Sequence, residues 1–291
     1  MKNTLIFLLA LVFFSCNTKA PSEKLLAVAD VKDVHPELYG SWVGNFAAEQ
    51  SDEDEESDID YSTRKINLII KKITDTEVIG QSIVSGNIRP LKGIMVQSGN
   101  TMTFILKEPG DNKFDGEFTF QIKNDTLSGD WLSFNKTIPV PKRSYSLEKK
   151  TFVYDPKLML SSEYNGGYID YTHPKKVQQK DENGKVVYEE DTYRFSSTKI
   201  HTLNASTQKM VEDTLKNLKK LDLEIIRNTI YARHGYSFKK RDIRQFFDHT
   251  DWYIPVSNNV DKQLTPLEKQ NIAMLERFEK YATDNYETFG R

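Results

Sequence analysis

Cysteine is almost absent from this sequence, since Cys16 is the only one among 291 residues. A single thiol excludes an internal disulfide framework and any structural zinc site built from cysteines. Neither sign of charge is in excess, because the sequence has 40 Lys and Arg residues and 42 Asp and Glu residues, for a net charge of -2. The chain therefore lacks the overall basic field that gathers nucleic acid, and we expect no nucleic-acid partner.

Long apolar runs are missing as well. The longest has ten residues, which excludes a multi-span helical membrane protein. The sequence has no Gly-x-Ser-x-Gly elbow, no phosphate-binding Walker loop and no His-Glu-x-x-His helix. We therefore expect no enzymatic activity, no cofactor and no bound metal.

The amino terminus carries a targeting signal. Lys2 precedes the apolar run of residues 5–14 (LIFLLALVFF), and Ser15 and Cys16 follow it. Ten residues rise about 15 Å as a helix, half the thickness of a ~30 Å hydrocarbon core, so the run fits a secretory signal and not a span. A small residue followed by cysteine at this place resembles the lipobox of bacterial lipoproteins. The alternative is an ordinary signal peptide that ends near a chance cysteine.

The lipobox resemblance implies that residues 1–16 carry a lipoprotein signal and that Cys16 is lipidated. Residues 17–37 would then form a flexible tether. Asn17, and not Asp, follows the cysteine, so the resemblance implies an anchor in the outer membrane, with the protein facing the periplasm or the cell surface.

Residues 38–150 have the period of two that is typical of strands. Tight-turn sequences such as Ser85-Gly86-Asn87 and Asn124-Asp125 separate short segments rich in Ile, Val, Phe and Thr. This spacing predicts an antiparallel meander that forms either a barrel or a sandwich. The predicted strands are residues 65–73, 77–84, 101–107, 117–122 and 126–133.

The segment around Trp42 (LYGSWVG, residues 38–44) resembles the Gly-x-Trp opening of lipocalin-like barrels. This resemblance implies either a ligand cavity behind Trp42 or a filled core in which Trp42 closes one end. Between the first two strands, residues 49–60 (EQSDEDEESDID) contain eight acidic residues and no basic one. They lack the residue order of a calcium loop, and we predict a solvated loop.

The rest of the chain divides into a connector, a helical region and a tail. Residues 151–205 contain a predicted hairpin with Asn183-Gly184 at its tip. Residues 206–280 change to a helical period, and residues 281–291 form the tail. We predict a helix that begins near Leu223 and ends at His234, a short helix over 241–247, and a last helix with Thr265 as N-cap. The fold class is therefore α+β, with two separately packed domains.

Residues 231–235 spell Tyr-Ala-Arg-His-Gly. Together with the Arg227-Asn228-Thr229-Ile230 segment before them and Trp252-Tyr253 after them, they resemble the YARHG domain, a presumed extracellular bacterial module. The resemblance implies an extracytoplasmic location and no established activity. The positions that it marks as candidates for binding are Arg227, Tyr231, Arg233, His234, Trp252 and Tyr253.

These side chains have two interpretations. Guanidinium donors beside aromatic rings suit an anionic glycan, because Arg binds anions in a bidentate manner and rings stack on sugars. Alternatively, the cations satisfy helix ends and loop carbonyls of a small domain. The function that we expect is noncatalytic binding or assembly at the bacterial cell envelope, with peptidoglycan or an envelope glycan as the partner. The alternatives are an enzyme that acts on envelope polymers, with His234 or the Asp248/Asp251 pair as acid and base, and a lipocalin-like carrier.

Overall fold

The computed structural model describes residues 32–49, 63–162 and 168–287. The lipidation predicted at Cys16, most of the predicted tether and most of the acidic segment lie outside the described residues. Among the residues that are described, no helix combines the length and the apolar character needed to cross a membrane.

The first domain is a closed barrel of eight antiparallel strands, each hydrogen-bonded to its neighbours in the sequence, with the first paired to the last. Closure into a barrel decides between the two predicted architectures. The strands are β1 (Gly40–Ala48), β2 (Arg64–Ile73), β3 (Val78–Val84), β4 (Asn87–Ser98), β5 (Thr101–Lys107), β6 (Gly116–Lys123), β7 (Thr126–Ser133) and β8 (Lys142–Lys150).

All five strands predicted by range are present, but β4 and β8 were missed. Strand β4 contains Pro90, opposite Gln81 of β3, and proline is unusual within a sheet. Strand β8 has five charged residues among nine and no β-branched residue, so its composition is not typical of a strand. Its apolar residues Tyr145 and Leu147 nevertheless face the core.

Side chains fill the barrel interior. The rings of Phe104 and Phe120 stack with centroids 4.9 Å apart, and both side chains are fully buried. At one end, the Trp42 indole donates a hydrogen bond of 3.0 Å to the carbonyl of Leu38, in the 3-10 turn Pro36–Leu38. Of the two alternatives for Trp42, this arrangement corresponds to the filled core that the indole closes.

A three-stranded sheet follows the barrel, with strand order β11-β10-β9. Strands β9 (Ile169–Lys180) and β10 (Val186–Phe195) form a hairpin, and Gly184 in its turn has a φ of 80°. The short strand β11 (Tyr286–Glu287), from the carboxy-terminal tail, pairs with the end of β10.

The helices are α1 (Glu212–Leu215), α2 (Lys220–Arg233), α3 (Arg241–Phe247) and α4 (Pro266–Glu279). The sequence places the end of α2 correctly, because His234 is its C-cap and Gly235 follows with a φ of 71°. It also places the start of α4, where Thr265 and Glu268 form the predicted capping box. Helices α2 and α4 pack together around a core that includes Ile226, Ile230 and Leu275.

The barrel and the helical region have separate hydrophobic cores, and the outside of the barrel contacts the helical region. Val43, Asn67 and Ile83 pair across β1, β2 and β3 on the outer face, yet each is at most 2% exposed. The Asn67 amide donates to the carbonyl of Pro255 at 2.9 Å, and Lys65 Nζ donates to that of Thr250 at 2.8 Å. Residues 32–291 accordingly form one compact unit.

The turn between β3 and β4 makes a further contact with the helical region. The Gly86 N–H donates to Ser237 Oγ at 2.9 Å. Gly86 has a φ of 78°, and a Cβ there would lie only 2.8 Å from the Cβ of Lys239. Glycine is therefore required at this turn both by its conformation and by the close approach of the next domain.

Candidate functional site

Arg233, at the end of α2, is buried within the protein, with 2% of its surface exposed. Its Nε donates to the carbonyl of Leu158 at 2.7 Å, and one terminal nitrogen donates to Ser206 Oγ at 3.0 Å. The other terminal nitrogen lies 3.2 Å from the sulfur of Met159. Burial lowers the pKa of Arg233 to about 10. Its donors hold the connector against α2 and do not reach solvent.

His234 forms a buried polar cluster with the first turn of α4. Its Nε2 lies 2.8 Å from Glu268 Oε2, and its ring stacks on that of Tyr154 at a centroid distance of 4.3 Å. The Tyr154 hydroxyl donates to Glu268 Oε1 at 3.0 Å, and the Thr265 N–H donates to Oε2 at 2.9 Å. Burial disfavours the Glu268 carboxylate, but the hydrogen bonds, above all that from His234, outweigh it and lower its pKa to about 2.

The other four candidate side chains are also bonded or packed within the protein. Arg227 makes a bidentate pair with Glu279 at 2.6 and 3.0 Å. The Tyr253 hydroxyl donates to the carbonyl of Tyr236 at 2.7 Å, and the Trp252 indole donates to that of Met159 at 2.9 Å. Tyr231 packs at the edge of the same core. The six residues therefore do not converge on one open cleft, and their contacts correspond to the structural interpretation.

The candidate acid and base groups after α3 do not form a pair. Asp248 is 6% exposed, and its carboxylate accepts a hydrogen bond of 3.0 Å from Arg244. Burial raises its pKa, against the opposing effect of Arg244. Asp251 and His249 are exposed at the surface. Among the described residues, no group of three or more His, Cys, Asp or Glu side chains is arranged to hold a metal ion.

A buried charged network that we did not predict joins β9, β10 and α2. Arg194 donates to Asp170 at 2.7 Å, to Glu224 at 2.9 Å and to Asp284 at 3.1 Å. Burial disfavours ionisation of Asp170, but hydrogen bonds, first among them that from Thr172, outweigh it and lower its pKa. No local motif marks these residues, because 114 positions separate Asp170 from Asp284 and only the fold brings them together.

An open cleft of about 540 Å³ lies beside this network, between the start of β9 and α3. Lys240 and Arg241 supply positive charge at its lining, His173 supplies an imidazole and Tyr171 supplies an aromatic ring. The Nδ1 of His173 lies 2.9 Å from the buried carboxylate of Asp170, which orients the ring. No signal in the sequence marks this cleft, because β9 and α3 are far apart in the chain and only the fold brings them together. The remaining lining residues are Thr172 and Asp242.

The comparisons with known proteins identify one part of the chain. No curated protein and no solved structure shows significant similarity to it. The match to a family model begins at residue 197, whereas the sequence analysis placed the start at 206. Residues 197–280 match the YARHG domain, so the chain carries at its carboxy-terminal end a YARHG domain, which implies an extracytoplasmic location.

Proposed function

We propose that this protein is a noncatalytic lipoprotein of the bacterial cell envelope, anchored by a lipid on Cys16, with a role in binding or assembly. The apolar run before Cys16 supports the anchor, and the YARHG domain supports a place outside the cytosol. Two acyl chains hold a protein stably at a membrane, whereas one chain binds only marginally.

The burial of the YARHG motif is the observation that carries the noncatalytic part of this proposal. An acid, base or nucleophile must reach the substrate, yet Arg233 is 2% exposed and His234 is 6% exposed. Their polar atoms bond to Leu158, Ser206 and Glu268. The motif is thus suited to holding the connector, α2 and α4 together, and the exposed surface of this region is what remains for a partner.

A carrier role receives less support from the barrel. Such a role needs an apolar space behind Trp42, and the interior there is packed with aromatic and aliphatic side chains. The residues that occupy it include Phe46, Phe104, Phe118, Phe120 and Leu147.

Metabolic labelling with palmitate tests the anchor. The full-length protein expressed in bacteria should incorporate the label and sediment with membranes, whereas Cys16→Ser should lose both properties. Lys19→Gln is the control, because Lys19 follows the signal and its replacement leaves both the signal and the acceptor thiol in place. An unlabelled protein with an intact initiator methionine would contradict the proposal.

Co-sedimentation with purified peptidoglycan tests the binding role. We expect the protein to pellet with the polymer and to leave it intact, with no released sugar or peptide across a panel of cell-wall substrates. Arg233→Ala is the informative variant where it stays folded, because a purely structural Arg233 predicts unchanged pelleting of the folded fraction. Polymer cleavage that His234→Gln abolishes would favour the enzyme instead.

A further inference from the structure

We propose that the cleft between β9 and α3 binds an anionic group, a carboxylate or a phosphate, carried on a sugar of an envelope glycan. This inference rests on the proposed envelope function and gives that function a site and a ligand class. It differs from the sequence-based candidates, whose hydrogen-bond donors are bonded to other groups within the protein.

The walls of the cleft are held in place before any ligand arrives. Gln245 of α3 accepts a hydrogen bond of 3.1 Å from the Tyr171 N–H of β9. Its amide donates to Asp170 Oδ1 at 2.7 Å and to the carbonyl of Asp242 at 2.7 Å. The Gln245 side chain therefore connects β9 to α3 and fixes their relative position. A site whose walls are already ordered loses less conformational entropy when a ligand binds.

The charges that line the cleft favour an anion. Lys240 Nζ has no ion-pair partner among the described residues, and His173 Nε2 has no hydrogen-bond partner among them. Arg241 is the second cationic group of the lining, and Asp242 supplies its one carboxylate. Asp170 is occupied by Arg194 and Thr172, so it orients His173 without placing its own charge in the cleft.

The shape and the aromatic content favour a sugar over a bare ion. The cleft is an open surface depression of about 540 Å³, and it extends beyond what an inorganic anion covers. Tyr171 lines the cleft, and its ring packs against that of Tyr193 with centroids 5.4 Å apart. Because tyrosine combines an apolar ring face with a polar hydroxyl, it suits the mixed surface of a sugar.

Isothermal titration calorimetry on the purified full-length protein tests this inference. The probes are a short oligogalacturonate for the carboxylate, mannose 6-phosphate for the phosphate and a galacto-oligosaccharide as the neutral sugar. We expect at least one acidic probe to bind at low ionic strength, and the neutral sugar to bind at least tenfold more weakly. Affinity should fall as salt is added, because exposed charges are screened.

The double variant His173→Gln/Lys240→Gln should weaken binding of the acidic probe about tenfold, since it removes the ammonium group of Lys240 and the imidazole of His173. The matched control is Lys262→Gln/Lys269→Gln, which removes two exposed lysines of the same domain away from the cleft and should bind like wild type. Circular dichroism of both variants checks that the fold is retained.

Three results would overturn the inference: no binding of either acidic probe, equal binding of the neutral sugar, or equal losses in the cleft and control variants. These results are independent of the anchor, which palmitate labelling tests separately. A wild-type protein that binds an acidic probe but incorporates no palmitate would contradict the proposed envelope anchor. The inference that the cleft binds an anion would be unaffected by that result.

Discussion

Replacing Arg233 with alanine is the sharpest test of how the YARHG motif works. The substitution removes the guanidinium that bonds to the carbonyl of Leu158 at 2.7 Å and to Ser206 Oγ at 3.0 Å. Both acceptors would stay in a place from which solvent is excluded, since Arg233 is 2% exposed and Ser206 is 7% exposed. The variant therefore leaves unpaired polar atoms as well as a cavity.

The expected loss of unfolding free energy follows from these contacts. A hydrogen bond from a charged donor contributes about 1.5–3 kcal/mol, so two of them give roughly 3–6 kcal/mol. Burial works in the other direction, because it lowers the pKa of Arg233 to about 10 and so disfavours the charge. We therefore expect a net loss of about 3–4 kcal/mol, most of a typical domain's margin.

Urea denaturation of the full-length protein, followed by tryptophan fluorescence, measures this loss. Trp252 donates to the carbonyl of Met159, so its emission reports on the same connector. Lys262→Ala is the control, because an exposed side chain should change stability by less than about 0.5 kcal/mol. An Arg233→Ala protein within about 0.5 kcal/mol of wild type would refute the structural interpretation and restore Arg233 as a candidate for binding.

Three further predictions concern pH and the contact between barrel and YARHG domain. In Glu268→Gln, the acid dependence of stability should flatten. The wild-type pKa is about 2 against an ordinary 4.5, so a contribution of at most about 3 kcal/mol is present above pH 4.5 and lost as pH falls towards 2. The same dependence of unfolding free energy on pH in the wild type and in Glu268→Gln, measured by urea denaturation, would contradict this prediction. Burial, and to a lesser extent the charge of Lys150, lowers the pKa of Lys65 from 10.5 to about 8. As the pH rises from 8 to 10.5, the unfolding free energy of the wild type should therefore increase relative to that of Lys65→Met. Parallel plots of unfolding free energy against pH for the two proteins would refute this prediction. Gly86→Ala should lower stability by about 1–2 kcal/mol more than Gly99→Ala, since both have positive φ and only Gly86 approaches Lys239. Equal losses would argue against this contact.

The sequence analysis was most accurate for features that depend on residues close together in the chain. The strand of residues 126–133 and the helix of residues 241–247 have the predicted bounds, because alternation and turn residues act within a few positions. The end of α2 at His234 and the N-cap of α4 at Thr265 were also predicted from residues within a few positions of each other. Strand β8 was missed because five of its nine residues are charged, including the buried Arg143, and they hide the alternation.

The candidate site shows the opposite case. The motif residues could be listed from the sequence, but whether Arg233 faces a ligand or the carbonyl of Leu158 depends on a segment 75 positions away. The cleft likewise needs β9 to lie beside α3, and Gln245 makes that connection through Asp170 and Tyr171. No spacing rule links these positions, so periodicity carries no signal for them.

By itself, the sequence determined most of the strands, the ends of two helices and the YARHG domain, because turns, caps and alternation depend on neighbours along the chain. The tertiary structure alone decided that the barrel closes with a filled interior and that Asn67 on its outer face is buried against Pro255. It also decided which cations stay accessible: Arg233 is enclosed, while Lys240 remains open to solvent. The physical reason is that burial depends on which surfaces meet, and surfaces meet through contacts between residues far apart in the chain.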